Sequence, residues 1–135
     1  MPLTIEDKFT ITELIHRLNH LLDARDTEAA LSCFTPDFRV VIPEGTLSAA
    51  DYRRMLETVE LEVPQQHWAG NIWVEGDGDR ATAKTYVLSP EGPRADGGFG
   101  IFLMGKVDYD VVRVDGEWLF EQLTIERDKH WDIPE

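Results

Sequence analysis

The hydrophobic pattern changes period near Pro64, and this change constrains the fold more than any other feature of the sequence. Ahead of Pro64 most apolar residues recur at helical spacing, whereas after it they form long strand-like segments separated by turns rich in Gly and Asp. Helices gathered before a run of hairpin-connected strands predict an α+β fold, with the helices on one side of an antiparallel sheet.

Three helices are predicted in the first half of the chain. The first covers residues 5–22, and its apolar stripe consists of Ile11, Leu14, Ile15, Leu18, Leu21 and Leu22. The second begins at Asp26 or Thr27 and runs through Phe34, just ahead of a proline. The third is capped by Ser48 and by an acid three residues later. Its apolar face is formed by Tyr52, Met55, Leu56 and Val59.

The second half of the chain is predicted to be mainly strand. The predicted strands, including one early strand, cover residues 38–42, 67–75, 81–88, 99–114 and 117–127. Residues 76–79 and Asp115-Gly116 predict hairpin turns, because Gly and Asp tolerate the positive φ angles that such turns require. Residues 89–98, which hold two prolines and three glycines, are predicted to form a loop.

Size and charge narrow the class of protein. The 135 residues fit one domain, taken here as 1–135, and the net charge of −13 repels phosphate backbones and anionic membrane surfaces. No segment is apolar enough to span a membrane, and the first residues lack a signal-peptide pattern, so a cytoplasmic protein without nucleic acid or membrane partners is expected. The single cysteine, Cys33, lies among apolar residues and is expected to be a buried core thiol.

Three segments resemble the SnoaL-like family of the nuclear-transport-factor-2-like superfamily. Residues 21–26 (LLDARD) resemble an LDxxD segment at the end of the first helix, residues 66–71 (QHWAGN) resemble a QHxxGN strand, and residues 115–118 (DGEW) resemble a closing DGxW hairpin. The similarity spans residues 5–127 and implies a cone-shaped fold, in which a curved antiparallel sheet and three N-terminal helices enclose a pocket. The family includes dehydratases, isomerases, cyclases and non-catalytic binders, so the fold does not settle the reaction.

The same resemblance implies an acid–base pair. In the scytalone-dehydratase and bile-acid-dehydratase branches, an aspartate and a histidine at two of these places act together, and here they are Asp23 and His67. The resemblance implies a cofactor-free lyase or isomerase, with dehydration as the leading case, Asp23 as base and His67 as its acid–base partner. Its substrate is expected to be small and hydrophobic, a class that includes aromatic and polycyclic molecules. Those branches also carry tyrosines that polarise a substrate carbonyl, and aliphatic residues occupy the corresponding places here. The missing tyrosines favour the alternative, a non-catalytic ligand-binding or assembly domain.

Strand alternation supplies the remaining pocket candidates. Alternation places His67, Ala69, Asn71 and Trp73 on one face of their strand, where Asn71 could orient a substrate oxygen. Tyr86 and Tyr109 could supply a phenol, although both also fit an ordinary place in the core. The candidate substrate-binding residues are therefore Asn71, Trp73, Tyr86, Tyr52 and Phe102.

The opposite face of that strand is expected to carry Trp68, Ile72 and Val74. An apolar sheet face of this kind is unfavourable in water, so a homodimer through the sheet is predicted, with a trimer as the alternative.

Neither a metal nor a cofactor is predicted. His16 and His20 have the spacing of a metal-binding pair on a helix, but no third ligand follows at a recognisable interval, so a solvated helix face is the favoured interpretation. The sequence contains no phosphate-binding glycine loop and no dinucleotide fingerprint.

Overall fold

The computed structural model describes residues 1–58, 66–93, 95–128 and 131–132, apart from the side chains of Glu91, Phe102, Trp131 and Asp132. The helices are α1 (Ile5–Asp23), α2 (Thr27–Leu31) and α3 (Ala49–Thr58). The strands are β1 (Phe34–Ile42), β2 (Gly45–Ser48), β3 (Trp68–Asp77), β4 (Arg80–Glu91), β5 (Gly100–Val114), β6 (Glu117–Arg127) and β7 (Trp131–Asp132). The α+β class predicted from the sequence is confirmed.

The strands form one curved, open sheet in the order β2-β1-β6-β5-β4-β3, with β7 paired to β5. Every pairing is antiparallel except that of β1 with β6, which is parallel, so the expectation of an antiparallel sheet is wrong at this one place. The parallel pairing joins strands that are distant in sequence, and hairpin patterns carry no information about such pairings.

Helix α1 has the predicted buried stripe, begins where predicted and ends one residue later, at Asp23. Ile11, Ile15 and Leu18 are at most 1% exposed, and the other members of the stripe pack against the same core. The helix contacts β3 and β6, so the apolar stripe lies against the inner face of the curved sheet.

The first turn of α1 is held by a capping box and by an ion pair. Thr4 and Asp7 exchange hydrogen bonds of 3.0 Å between the side chain of each and the backbone N–H of the other. Arg113 on β5 donates to Asp7 at 2.9 Å and stacks over Trp118, whose indole N–H also faces Asp7 at 3.4 Å. These contacts attach the start of α1 to the β5–β6 hairpin.

The sequence misplaced several element boundaries between α1 and α3. Helix α2 ends at Leu31, and Phe34 begins β1 instead of ending the helix, because its ring packs in the core against Phe38 and Phe120. The short strand β2 was not predicted. Helix α3 has the predicted cap at Ser48, but Met55 on its expected apolar face is 39% exposed, and Val59 lies outside the described residues.

The predicted hairpins are present and the strands around them are long. Asp115 and Gly116 both have positive φ, as a type I′ turn requires, and they connect β5 to β6. Strand β4 continues to Glu91, so the predicted loop begins three residues later than the sequence indicates. At Gly105 the strands β5 and β6 approach so closely that a Cβ atom would lie 1.9 Å from the carbonyl oxygen of Glu126.

A bulge in β3 reverses the faces that the sequence predicts. The pairing with β4 shifts between Gly70 and Trp73, and Asn71 in between has a φ of 50°. As a result, Ile72 packs against the core and Val74 is buried, whereas Trp73 is 60% exposed on the outer face. The expected grouping of Asn71 and Trp73 with His67 and Ala69 is therefore wrong, because one extra residue changes the alternation.

The cysteine and the hydropathy of the helices can also be compared with the sequence predictions. Cys33 is buried, as predicted, and burial raises the pKa of its thiol. Among the described helices, none is both long enough and apolar enough to cross a membrane.

The contacts of Asp7 predict a pH-dependent contribution to stability. The hydrogen bond from the Thr4 backbone, helped by Trp118 and Arg113, holds the pKa of the Asp7 carboxyl below its ordinary value. A carboxyl with a lowered folded-state pKa stabilises the fold above its unfolded pKa, and this stabilisation is lost as the pH falls through the folded-state pKa. We expect Asp7→Ala to lower the urea midpoint at pH 7, and we expect the loss to shrink below about pH 4.

Glu6→Ala is the matched control, because Glu6 lies exposed in the same helical turn. It should change the midpoint little at either pH. An Asp7→Ala deficit that stays constant from pH 7 to pH 3 would contradict this account of the helix start.

Candidate active site

Asp23 is the last helical residue of α1, and the helix ends there through a defined hydrogen-bond pattern. The N–H of Asp26 donates to the carbonyl of Leu21, and the N–H of Arg25 donates to the carbonyl of Leu22, which together form a Schellman motif. Arg25 adopts the left-handed conformation that this motif requires, with a φ of 61°. The helix therefore stops abruptly, and the position of the Asp23 side chain is fixed relative to the sheet.

His67 directly precedes β3, and the residue before it, Gln66, is held in place by two backbone contacts. The fully buried hydroxyl of Ser89 donates to the carbonyl oxygen of Gln66 at 2.6 Å, and the N–H of Gln66 faces the carbonyl of Pro90 at 3.4 Å. These contacts extend the β3–β4 pairing to the residue before His67.

The Asp23 carboxylate contacts His67 twice. Oδ1 lies 2.6 Å from the ring Nδ1, and Oδ2 accepts a hydrogen bond of 3.2 Å from the His67 backbone N–H. The two side chains are 25% and 27% exposed, so the pair is sheltered but reachable from solvent. The contact expected between these residues is therefore present, and it is made with both carboxylate oxygens.

This geometry determines which ring nitrogen is available. A carboxylate against Nδ1 favours a proton on Nδ1, which leaves Nε2 as the unprotonated nitrogen of the neutral ring. A histidine oriented in this way can accept a proton at Nε2 and return it, while the carboxylate stabilises the cation formed in between.

The structure separates the other expected pocket residues. Asn71, Trp73 and Tyr86 are exposed and line a groove of about 400 Å³ on the outer face of the sheet, away from the Asp23–His67 pair. Their assignment to the same pocket as the pair is wrong, because the bulge at Asn71 turns β3 outward and Tyr86 lies on the outer side of β4. Tyr52 does face the interior, and the side chain of Phe102 lies outside the described residues.

The interior contains polar groups that the sequence analysis did not select. Asn19 lies one helical turn before Asp23 on the same face of α1 and is 7% exposed. Its neighbour is Tyr109, which is buried in the core. The four-residue spacing from Asp23 could have identified Asn19, but its position inside an apolar stripe concealed it.

Four depressions lined by described residues lie elsewhere on the molecule, and Asp23 and His67 line none of these four. They are found on the outer face of the sheet and around its rim, with volumes of about 400 to 600 Å³. The described residues also include no group of three His, Cys, Asp or Glu side chains that could hold a metal ion.

The sequence of the chain matches the SnoaL-like domain family over residues 3–124. The chain belongs to this family. The resemblance noted from three short segments is thus confirmed over nearly the whole length of this SnoaL-like chain. A comparison with curated proteins gave no match.

Solved structures with the same fold include proteins with different names. A protein of unknown function with a cystatin-like fold from Nostoc punctiforme is 28% identical, with a TM-score of 0.79 over 95% of this chain and 96% of that one. A protein assigned as a scytalone dehydratase from Novosphingobium aromaticivorans is 22% identical, with a TM-score of 0.80 over 93% and 86%. A hexachlorocyclohexane dehydrochlorinase from Novosphingobium barchaimii is 16% identical, with a TM-score of 0.80 over 96% and 91%. At these identities the last two show the shared fold.

The contact between Asp23 and His67 predicts an unusual tautomer. We expect ¹⁵N NMR of the neutral ring to show the proton on Nδ1, because the Asp23 carboxylate accepts from that nitrogen. Asp23→Leu should return the ring toward the Nε2–H tautomer. Asp26→Leu, three residues further on, is the control and should leave the His67 signals unchanged. An Nε2–H tautomer in the unsubstituted protein would contradict the geometry.

Proposed function

We propose that this SnoaL-like protein is a cofactor-independent acid–base enzyme, a lyase or isomerase, with Asp23 and His67 as its catalytic pair. The observation that carries the proposal is the double contact of the Asp23 carboxylate with the ring and backbone of His67, 2.6 and 3.2 Å long. A carboxylate that fixes an imidazole in this way is a recurrent arrangement for moving protons at neutral pH.

The geometry favours His67 as the group that exchanges the proton and Asp23 as the group that orients it. Both carboxylate oxygens are engaged by His67, whereas Nε2 is left to meet a substrate. This division of roles differs from the sequence expectation, in which Asp23 was the base.

The leading reaction is the elimination of water next to a carbonyl group. His67 Nε2 takes a proton from the carbon beside the carbonyl, and the bond electrons form an enolate. As the enolate collapses, a carbon–carbon double bond forms, the hydroxyl on the adjacent carbon leaves, and the proton returns with it as water. The step is balanced without electron transfer, so an acid–base pair is sufficient for it.

The substrate class and the reaction class have separate support. Leu21 and Leu22 flank Asp23 and pack against the core, and Ala69 follows His67 on the inner side of β3, so the surroundings of the pair favour a small hydrophobic substrate. Two structural neighbours bear the names of elimination enzymes, a dehydratase and a dehydrochlorinase.

The alternative is a non-catalytic ligand-binding or assembly domain of the same fold. It is favoured by the aliphatic residues that stand where the dehydratase branches carry tyrosines. In that case the pair would only attach the end of α1 to β3.

Exchange of carbon-bound hydrogen in D₂O tests the proposal without knowledge of the natural substrate. We expect the protein to accelerate exchange at the carbon beside the carbonyl of small cyclic ketones, followed by NMR. His67→Gln and Asp23→Asn should each lower this acceleration by about 10²–10⁴-fold, because that is the usual contribution of a positioned acid–base group.

Asp26→Asn is the matched control, because Asp26 lies three residues after Asp23 and caps α2, a role that asparagine also fills. It should retain full exchange activity. Ketone binding without exchange would favour the non-catalytic alternative, whereas exchange that survives His67→Gln would contradict the role proposed for His67.

We also propose that the protein forms a homodimer through the outer face of its sheet. Ile72 and Val74 were wrongly expected there, since they face inward, whereas Trp68 is exposed as expected. Trp73 and Tyr86 join Trp68 on this face. Trp68, Trp73 and Tyr86 are 53%, 60% and 55% exposed. Trp73 and Tyr86 line one groove together with Lys84, Lys106, Asp108 and Glu126. A face that carries both signs of charge around exposed aromatics is suited to pairing with a copy of itself.

A trimer is the second arrangement that we propose. The cytoplasmic location stays a prediction from the sequence.

Light scattering coupled to size-exclusion chromatography tests the assembly. We expect a dimer at micromolar concentration, and we expect Trp73→Glu to shift it toward monomer because the new charge is buried at the interface. Phe9→Glu is the control, because Phe9 is 64% exposed on α1 and away from the sheet face. Elution of the unsubstituted protein as a monomer would rule out the proposed dimer.

A further inference from the structure

Among the described residues, one buried polar atom has no hydrogen-bond partner, and it lies on α1 one helical turn before Asp23. The amide nitrogen of Asn19 is buried, and it makes no hydrogen bond of normal geometry with any described residue. The whole side chain is 7% exposed. An amide donor left unpaired in the interior is unfavourable, since it has lost water and gained no replacement.

The position of Asn19 relates it to the proposed chemistry. It precedes Asp23 by four residues on α1, so the two side chains lie on the same face of the helix, about 5–6 Å apart along the axis. A ligand that contacts His67 at one end can therefore extend one helical turn inward to Asn19.

The phenols in this part of the interior are uncharged at neutral pH. Burial raises the pKa of Tyr109, against a smaller opposing effect of the nearby Asn19 amide. Burial also raises the pKa of Tyr52, which lies near Tyr109, to about 12. Both phenols are therefore protonated, and a group that enters this region meets neutral polar side chains and apolar ones. Such an environment suits a neutral oxygen that gains negative charge during reaction. A donor that is already held in place stabilises this charge, and no charged side chain has to be displaced first.

We propose that Asn19 Nδ2 donates a hydrogen bond to an oxygen of the substrate, and that the substrate is consequently a small apolar molecule with a carbonyl group. This inference rests on the proposed acid–base function, and it names the oxygen that would carry the enolate charge. It also distinguishes the protein from an enzyme whose substrate has only carbon and halogen atoms. Since no solvent reaches the amide nitrogen, binding displaces the side chains that now cover it.

A matched pair of ligands tests the proposal by binding alone. 1-Indanone and indane have the same shape, but only the ketone offers an oxygen. We expect the unsubstituted protein to bind 1-indanone about three- to ten-fold more tightly than indane, as one added hydrogen bond predicts. The Asn19 side-chain NH₂ signals in ¹H–¹⁵N NMR should shift with the ketone and not with the hydrocarbon.

Three variants separate the possible causes. Asn19→Leu keeps the size of the side chain, and it should abolish the ketone preference while raising the melting temperature, because it removes an unpaired donor. Asn71→Gly is the control, since it removes an amide from the outer face at a residue whose φ of 50° glycine tolerates. Asn71→Gly should retain the preference.

Asp23→Asn should also retain the ketone preference, because it alters proton transfer and leaves Asn19 in place. Failure of the exchange experiment with an intact Asn19-dependent preference would thus contradict the catalytic function alone. Equal binding of the two ligands, binding of neither, or a preference that survives Asn19→Leu would overturn the role of Asn19. A merely structural link to Tyr109 would lower the stability of Asn19→Leu and leave the preference unchanged.

Discussion

The geometry of the molecule depends on the packing of α1 against the inner face of the curved sheet. Ile11 and Ile15 are completely buried along its middle, and both of its ends are attached to strands by carboxylates. At the start, Asp7 accepts from Arg113 on β5, and at the end Asp23 accepts from His67 at the start of β3. The helix is thereby fixed along its axis as well as against the sheet, which is why a contact as short as 2.6 Å can be maintained across 44 residues of sequence.

A single bulge determines which face of β3 carries which function. Strict alternation would have grouped Asn71 and Trp73 with His67, but the positive φ of Asn71 inserts one extra residue and turns Trp73 outward. The aromatic residues that looked like pocket walls therefore form an exposed surface, and the interior is left to Ala69 and Val74. The ligand site and the dimer surface proposed above consequently lie on opposite faces of one strand, so substitutions can test each proposal separately.

Local patterns in the sequence were sufficient where the structure is itself local. The stripe of α1, the Ser48 cap of α3 and the Asp115-Gly116 turn each depend on residues within one or two turns of chain, and all three are present as predicted. The parallel pairing of β1 with β6 and the bulge in β3 depend on distant partners, and neither was predicted. The Asp23–His67 contact is also distant, and it was anticipated only because the segments around both residues resemble a family. Asn19 was missed because a polar residue on an apolar stripe gives no signal until its surroundings are known.

One departure from local rules beside the proposed catalytic pair has no local structural explanation. Three residues other than glycine have a positive φ among those described, and each belongs to a motif that requires it. Asp115 lies in a hairpin turn, Arg25 in the Schellman motif that ends α1, and Asn71 in the bulge of β3. The unpaired amide of Asn19, four residues before Asp23, belongs to no such motif. A buried unpaired donor is unfavourable for folding by itself, and departures of this kind are expected where function rather than stability determines the residue. A purely structural clasp between α1 and β3 would not need such a donor one turn away, so Asn19 favours the proposed ligand at the pair over a mere attachment of the helix.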